Sequence, residues 1–416
     1  MALLSLGFLI VAIILGFTRK MNTGLLCMAF AMVVGRLAGM KDNEIIAGFN
    51  YNLFIMLLGV TYLFSLAQNN GCLDLLAKKV VALAGKRTFL IPIIIYLFAT
   101  VLSAIGPGTV PTMAILMVFA MALAAELNIN PAMLSALIVL GASGGGVSPL
   151  AATGIIGLNL CAGFGLVGIE REFFSNGLLA ATAYAIFLYF VTGGYKMRSD
   201  KVMNLGDIPT FNTKQLITLA GIVLMVVMVL ILKINVGLVG FLIAAILSFL
   251  KVSDETEALK KVPWGTLLLI TGVGMLMNII TKLGGIKILS GALVSIMTES
   301  TAPSIMGLCA GITSWFSSTS GVVMPTLIPT IPYINAQMGN VLNPVELATA
   351  ITMISNTGGI SPLSTGGALA LAAYTSAAGS TPEDQQKLFM TMFGFSSLGI
   401  VVLSTLAYFG LFRWLL

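Results

Sequence analysis

Histidine is absent from this chain of 416 residues, and charge is scarce, with Asp, Glu, Lys and Arg making up 9% of it. Without imidazole the usual proton shuttle, metal ligand and general base are missing. Soluble domains carry about 25% charged residues, so an all-aqueous surface is excluded too. Cysteine is thin: Cys27, Cys72, Cys161 and Cys309 stand apart, with no CxxC or metal-ligand spacing. They read as small buried apolar residues. The net charge of +6 is no nucleic-acid signal, and no nucleic-acid partner is expected. In a membrane protein such an excess collects in cytoplasmic loops.

What is abundant is hydrocarbon, at 58% of residues. Several apolar runs approach or exceed the ~20 residues that span a bilayer. The fold class is therefore an all-α polytopic membrane protein. The first run, Ala2–Phe17, has no basic stretch before it and is followed at once by another. It reads as a transmembrane helix rather than a cleaved signal. The 23 methionines read as adaptable apolar filler.

One stretch interrupts this pattern. Ser355-Asn356-Thr357-Gly358-Gly359-Ile360-Ser361-Pro362 lies between two apolar segments, each too short to cross alone. In a helix interior Gly and Pro cost about 1 and about 3 kcal/mol relative to Ala. The stretch predicts a membrane helix broken at mid-depth, whose freed backbone groups must meet protein, water, an ion or a substrate. The pattern occurs once before, at Ala142-Ser143-Gly144-Gly145-Gly146-Val147-Ser148-Pro149.

The two occurrences belong to a longer repeat. At an offset of 213, Asn22 and Gly24 fall on Asn235 and Gly237, Gly59 on Gly272, and Asn130-Pro131 on Asn343-Pro344. Near the middle the offset becomes 214, pairing Ser103 with Ser317 and Pro111-Thr112 with Pro325-Thr326. Residues 1–195 form the first repeat and 214–416 the second, joined by a polar linker at 196–213.

In the first repeat, spans are expected at Ala2–Phe17, Asn22–Met40 and Asn52–Gln68, with an interfacial segment at Cys72–Ala84. A re-entrant hairpin follows at 89–126, interrupted at Ser103–Pro111, then the broken helix 131–162. An amphipathic stretch, Gly163–Ser175, precedes a last span, Gly177–Val191. The second repeat gives spans at Leu216–Leu232, Val236–Leu250 and Pro263–Thr281, and an interfacial Ile286–Met297. It continues with a hairpin at 303–336, a broken helix at 344–377 and a span at Leu388–Phe409. Five crossings per repeat is an odd number, so the repeats must be inverted in topology. Fourteen of the 21 Lys and Arg fall on the side of the linker, seven on the other. The positive-inside rule then puts the linker in the cytoplasm and both termini outside a plasma (inner) membrane.

Four interruptions should meet at mid-membrane: two hairpin tips and two broken helices. None holds Asp, Glu, Lys or Arg. Hydroxyls and N–H groups at helix N-termini suit an anion. Carbonyls at half-helix C-ends, with Ser, Thr and Asn oxygens, suit a desolvated Na⁺. Substrate contacts are assigned to Ser103, Gly106, Thr109, Pro111, Thr153, Ser317, Ser318, Thr319, Asn356, Thr357, Ser361, Pro362, Ser364 and Thr365. Na⁺ candidates are Ser103, Ser143, Gly144, Gly145, Ser148, Ser317, Thr319, Asn356, Gly358 and Gly359. Thr112 and Ser320 are further hydroxyls in these segments. Ser, Thr and Gly also mediate close helix packing. The duplicated Gly-Gly-(Val/Ile)-Ser-Pro-Leu word is what favours a site.

At these residues the sequence resembles the ion transporter superfamily, and within it the divalent anion/sodium symporters and the MatC-type malonate/dicarboxylate carriers. The likeness follows the order of spans, hairpin and broken helix along nearly the whole chain. The symporters carry Ser-Asn-Thr at each hairpin tip. Here the tips read Ser103-Ala104-Ile105 and Ser317-Ser318-Thr319, and Ser355-Asn356-Thr357 stands in the broken helix. The run from Ser355 to Gly367 is closer to the MatC-type carriers. The resemblance implies a homodimer in which a transport domain moves as an elevator against a scaffold. By position that scaffold would be mainly the first two and last spans of each repeat.

The leading reading is a secondary transporter of a small carboxylate anion, a C3–C4 dicarboxylate, coupled to Na⁺ or H⁺. A coupled cation would offset the substrate's charge where no basic residue does. Na⁺ as coupling ion is the only cofactor expected. Alternatives are an oxyanion or arsenite exporter and a Na⁺/H⁺ antiporter, the latter normally needing an intramembrane carboxylate. An intramembrane hydrolase would need a base beside one of these serines, and none is evident; no enzyme activity is expected. Hairpins that end in mid-membrane favour alternating access over a passive channel.

Overall fold

The computed structural model describes residues 1–85, 87–127, 129–197, 208–376 and 381–415. Most of the expected linker lies outside them, with Lys86, Arg198 and Lys201 of the charge count and the Ala377 end of the second broken helix. The described residues are helical and contain no strand.

The first half runs α1 (Ala2–Thr18), α2 (Thr23–Leu37), a short α3 (Asp42–Ile46), α4 (Tyr51–Asn69) and α5 (Cys72–Ala82). Hairpin arms α6 (Ile91–Ala104) and α7 (Thr109–Leu127) come next, then half-helices α8 (Pro131–Gly146) and α9 (Ala152–Ala162), then α10 (Glu170–Val191). The second half runs α11 (Thr213–Leu230), α12 (Val236–Phe249), α13 (Glu255–Lys261), α14 (Trp264–Lys282) and α15 (Gly285–Val294). The arm α16 (Ala302–Ser314) follows. Its partner arm begins as a π-helical turn, Thr319–Val323, and continues through α17 (Met324–Leu327), a 3₁₀ turn and α18 (Ile331–Gln337). Half-helices α19 (Pro344–Gly358) and α20 (Thr365–Ser376) lead to α21 (Pro382–Tyr408).

Local chemistry explains these boundaries. Asn22 accepts from the amides of Gly24 and Leu25, and Asn235 accepts from Gly237 and Leu238. The repeated Asn-Pro word is a helix start. Asn130 and Asn343 cap α8 and α19 with their side chains, and the proline fits the first helical position because it lacks an N–H. At the other end of each half-helix, Pro149 and Pro362 cannot supply an amide to continue the ladder.

Helices α4, α10, α11, α14 and α21 are long and apolar enough to cross a bilayer, and the chain is a helical membrane protein. The spans expected in α1, α2 and α12 are helices of 17, 15 and 14 residues, about 21–26 Å at 1.5 Å per residue. One expectation is corrected. The stretch Gly163–Ser175 is not a separate amphipathic element, because α10 starts at Glu170 and runs unbroken for 22 residues. The short α3 and α13 were not foreseen.

Packing divides the helices into two groups. Helices α1 to α4 and α11 to α14 form one, in which α2 lies on α14 and α4 on α12, while α5 and α15 lie between it and the hairpin arms. A Cβ on Gly59 would collide with the backbone of Gly237, and one on Gly24 with the backbone of Leu268. Gly272 in turn abuts Gly24, so two backbone crossings repeat with their partners exchanged between halves. The second group holds both hairpins and all four half-helices. It also holds α10, packed on α8 and α19, and α21, packed on α16 and α19. The last spans, expected with the first two of each repeat, thus pack with the broken helices, and Tyr184 of α10 donates to the Phe395 carbonyl of α21.

Candidate functional site

The first break is where α8 stops at Gly146 and α9 begins at Ala152. Ser103, at the end of α6, is fully buried and donates to the Ala142 carbonyl at 2.7 Å. Gly146 lies against the hydroxyls of Ser103 and Thr109. Thr109 at the first hairpin tip and Thr153 at the start of α9 are 3.2 Å apart. Thr153 is in turn 3.2 Å from Ser320 of the second tip. Three hydroxyls thus join both tips and one break. Gly106, with φ +145°, makes the turn between the arms where Phe64 leaves no room for a Cβ.

These hydroxyls face a cavity of about 50 Å³, closed by Thr61 of α4, Thr266 of α14 and Pro107 and Pro111 of the tip. A second cavity, of about 350 Å³, shares Ile156 and Ile270 with it. Its polar lining is Asn50, Tyr51, Asn159, Thr271, Asn278 and Thr281, with no charged residue. Asn50 donates to Asn159 across its mouth at 2.8 Å, bridging the two helix groups.

The second break is tied up differently. Ser396 of α21 donates to the Gly358 carbonyl at 3.0 Å, and the Gly367 amide bonds the Gly359 carbonyl at 3.1 Å. Thr357 donates to Met353 of its own helix at 2.9 Å. Ser314 and Thr319 hydroxyls meet at 3.0 Å beside Gly358. At the first break the carbonyls of Gly146 and Val147 accept no hydrogen bond among the described residues. Ser148 and Ser361 do the same local work, each accepting from the amide two residues on at 3.2 Å.

The expected site residues therefore separate. Ser103, Thr109, Thr153, Thr319, Ser143, Ser148, Asn356 and the paired glycines are brought to the breaks. Ser317 turns back on the Thr313 carbonyl, and Ser318 caps its own turn through the Gly321 amide. Thr357 and Ser361 are held by local bonds, Pro362 is buried, Ser364 is half-buried and Thr365 is exposed. The pairing of Ser103 with Ser317 is also corrected. Gly145 abuts Thr100 and Ala104 of α6, and Gly358 abuts Gly311 and Ser314 of α16. By packing, the counterpart of Ser103 lies near Ser314. The extra residues are taken up by the π-helical turn after the tip, a local insertion common at functional sites.

Several buried polar atoms at this centre have no partner: the hydroxyls of Thr112, Thr326 and Ser143, the amide nitrogen of Asn356 and both amide atoms of Asn176. Thr112 and Thr326 are the pair matched by the 214-residue offset. Ser314, Ser320, Ser396 and Asn176 were not among the assigned residues. The last two sit inside spans, where the only signal was a polar residue in an apolar helix. Glu346, expected at a segment end, is buried there under Arg413, whose Nε reaches both carboxylate oxygens at 2.8 and 2.9 Å.

Residues 1–146 match the family described as Dicarboxylate carrier protein MatC N-terminus. Among curated proteins nothing matches the chain. The likeness to MatC-type carriers is thus real over α1 to α8, including the first hairpin and the glycines that end α8.

Proposed function

We propose that the protein is a secondary active transporter of a small carboxylate anion, a C3–C4 dicarboxylate, coupled to Na⁺ or H⁺. The observation that carries the reading is the uncharged cluster Thr109–Thr153–Ser320 beside a cavity, in a chain whose first 146 residues match dicarboxylate carriers. The substrate carboxylates would be held by hydroxyls, by the Asn356 amide and by N–H groups at the starts of α9 and α20. No lysine or arginine lines either cavity, so a cation bound nearby would balance the substrate's charge.

The same reading makes the halves two repeats of opposite orientation, with the linker in the cytoplasm and both termini outside. The reciprocal crossings of α2 on α14 and α12 on α4 support it. So does an inequality between like parts: α9 packs on α4, whereas Thr365 at the start of its counterpart α20, and Leu363 just before it, are exposed. Alternating access demands such unlike packing of two like halves in any single state. The group holding the hairpins would then move as an elevator against the other, in a homodimer.

The test is stability of the purified protein with malonate, succinate, citrate, lactate, sulfate or arsenite, each in Na⁺ and in choline. A ligand of the folded state raises the melting midpoint by mass action. One dicarboxylate should do so, more strongly in Na⁺, and Asn356→Ala should weaken it. No shift with any carboxylate would refute the reading.

A further inference from the structure

Asn176 of α10 is fully buried, and neither its amide nitrogen nor its amide oxygen has a partner. An amide is costly to bury unpaired, and nothing in the hydroxyl cluster uses this one. Its neighbours place it at the first break. The buried stripe of α10 runs through Phe173, Asn176, Gly177 and Ala180. Phe173 packs on Gly157 of α9. Gly177 packs on Val147, where α8 ends, and on Met353 of α19. Asn176 therefore sits on the face of α10 turned to the gap between α8 and α9. At that level the Gly146 and Val147 carbonyls are free of hydrogen bonds from described residues. The Ser143 hydroxyl, also buried and unpartnered, lies a turn farther back along α8, where Gly144 meets Ala181, and is not level with Asn176.

Neither cavity described above reaches Asn176 or Ser143. An occupant here must be small, which excludes a dicarboxylate. Amide and carbonyl oxygens at the C-terminal end of a half-helix, where the dipole is negative, suit a small cation. We propose that Asn176 supplies a side-chain oxygen to the coupling cation at the first break. The proposal rests on the cation-coupled reading above and adds a ligand from a helix outside both hairpins and both breaks. The second break differs in that the Gly367 amide occupies the Gly359 carbonyl, the counterpart of Gly146, and its neighbouring span α21 offers no buried unpaired amide among the described residues.

The experiment melts the full-length protein in NaCl and in choline chloride at equal ionic strength, without substrate. The wild type should be stabilised by Na⁺. Asn176→Leu removes the unpaired amide at similar volume. It should be as stable as the wild type in choline, or more so, and should need about tenfold more Na⁺ or lose the response. Asn176→Asp keeps the oxygens and should keep the response. An Asn176→Leu protein that answers Na⁺ like the wild type overturns the proposal and leaves a water or bare packing at this amide. Should Asn176→Leu not fold, a folded Asn176→Asp protein without a Na⁺ response overturns it equally. A wild type indifferent to Na⁺ removes the Na⁺-coupled reading and this proposal together. A wild type that responds, beside an Asn176→Leu protein that responds equally, removes this proposal alone.

Discussion

The two broken helices carry nearly the same word, yet their surroundings differ. At the first break the neighbouring span offers Ala181 to Gly144 and an unpaired Asn176. At the second, the neighbouring span offers Ser396, which donates to the Gly358 carbonyl and accepts from the Trp315 indole at 2.9 Å. Among the described residues the Gly146 carbonyl accepts no bond while its counterpart at Gly359 is taken by the Gly367 amide; the Val147 and Ile360 carbonyls are free at both breaks. A duplicated motif thus fixes where a helix breaks, and the partners it meets decide what the break can bind.

The largest difference should come from the glycines that let each hairpin arm approach its half-helix. A Cβ on Gly145 would collide with the Thr100 carbonyl, whereas one on Gly358 would stand 2.8 Å from the Gly311 carbonyl. Both are overpacking substitutions, of the kind that costs about 1–3 kcal/mol or more. Gly145→Ala should sit at or above the top of that range and Gly358→Ala lower in it. Thermal denaturation of the detergent-solubilised proteins checks the order, and equal midpoints would mean that α6 yields as readily as α16.

Ser396→Ala should come next. It strips a donor from the Gly358 carbonyl and an acceptor from the Trp315 indole, both in the interior, for about 1–3 kcal/mol. The Gly358 carbonyl would keep its bond from the Ser361 amide, as Gly145 keeps its bond from Ser148, so the variant makes the two breaks alike at this position. If a carbonyl with room for a second partner is what a cation needs, the variant should recover part of its lost stability in Na⁺ but not in choline. A loss that is identical in both salts would show that carbonyls alone are not enough, and would sharpen the role assigned to Asn176.

Much of this was legible in the sequence, and the limits have physical causes. Repeated Asn-Pro and Gly-Gly-(Val/Ile)-Ser-Pro words are local signals, since capping and the missing proline amide act within a turn or two, so helices start at the first word and stop at the second. The register across the second tip was not legible. Its additional residues are absorbed in a π-helical turn after Ser318, and a text alignment has no means of seeing a helix widen. Nor was the grouping of α10 and α21, because an apolar span reads the same whether lipid or a broken helix lies beside it. Asn176 and Ser396 escaped for that reason: their meaning lies in neighbours more than twenty residues away in sequence.

The smallest expected effect is also the strictest test of the comparison. Ser148 and Ser361 stand at matched positions, and each accepts one bond from the amide two residues on, at the same 3.2 Å. From sequence, Ser148→Ala and Ser361→Ala should be equivalent. The amides they leave behind are not. Leu150 is 5% exposed, so its N–H would be stranded in the interior, whereas Leu363 is 40% exposed and its N–H can reach water in an opening beside the break. A stranded donor costs about 1–2 kcal/mol, and a rehydrated one about 0.5 kcal/mol. Ser148→Ala should therefore melt lower than Ser361→Ala. The gap should narrow if a bound substrate draws the second break shut, since Leu363 would then lose its access as well. Equal midpoints with and without a dicarboxylate would mean that both breaks are equally covered, and the inequality on which the alternating-access reading leans would be gone.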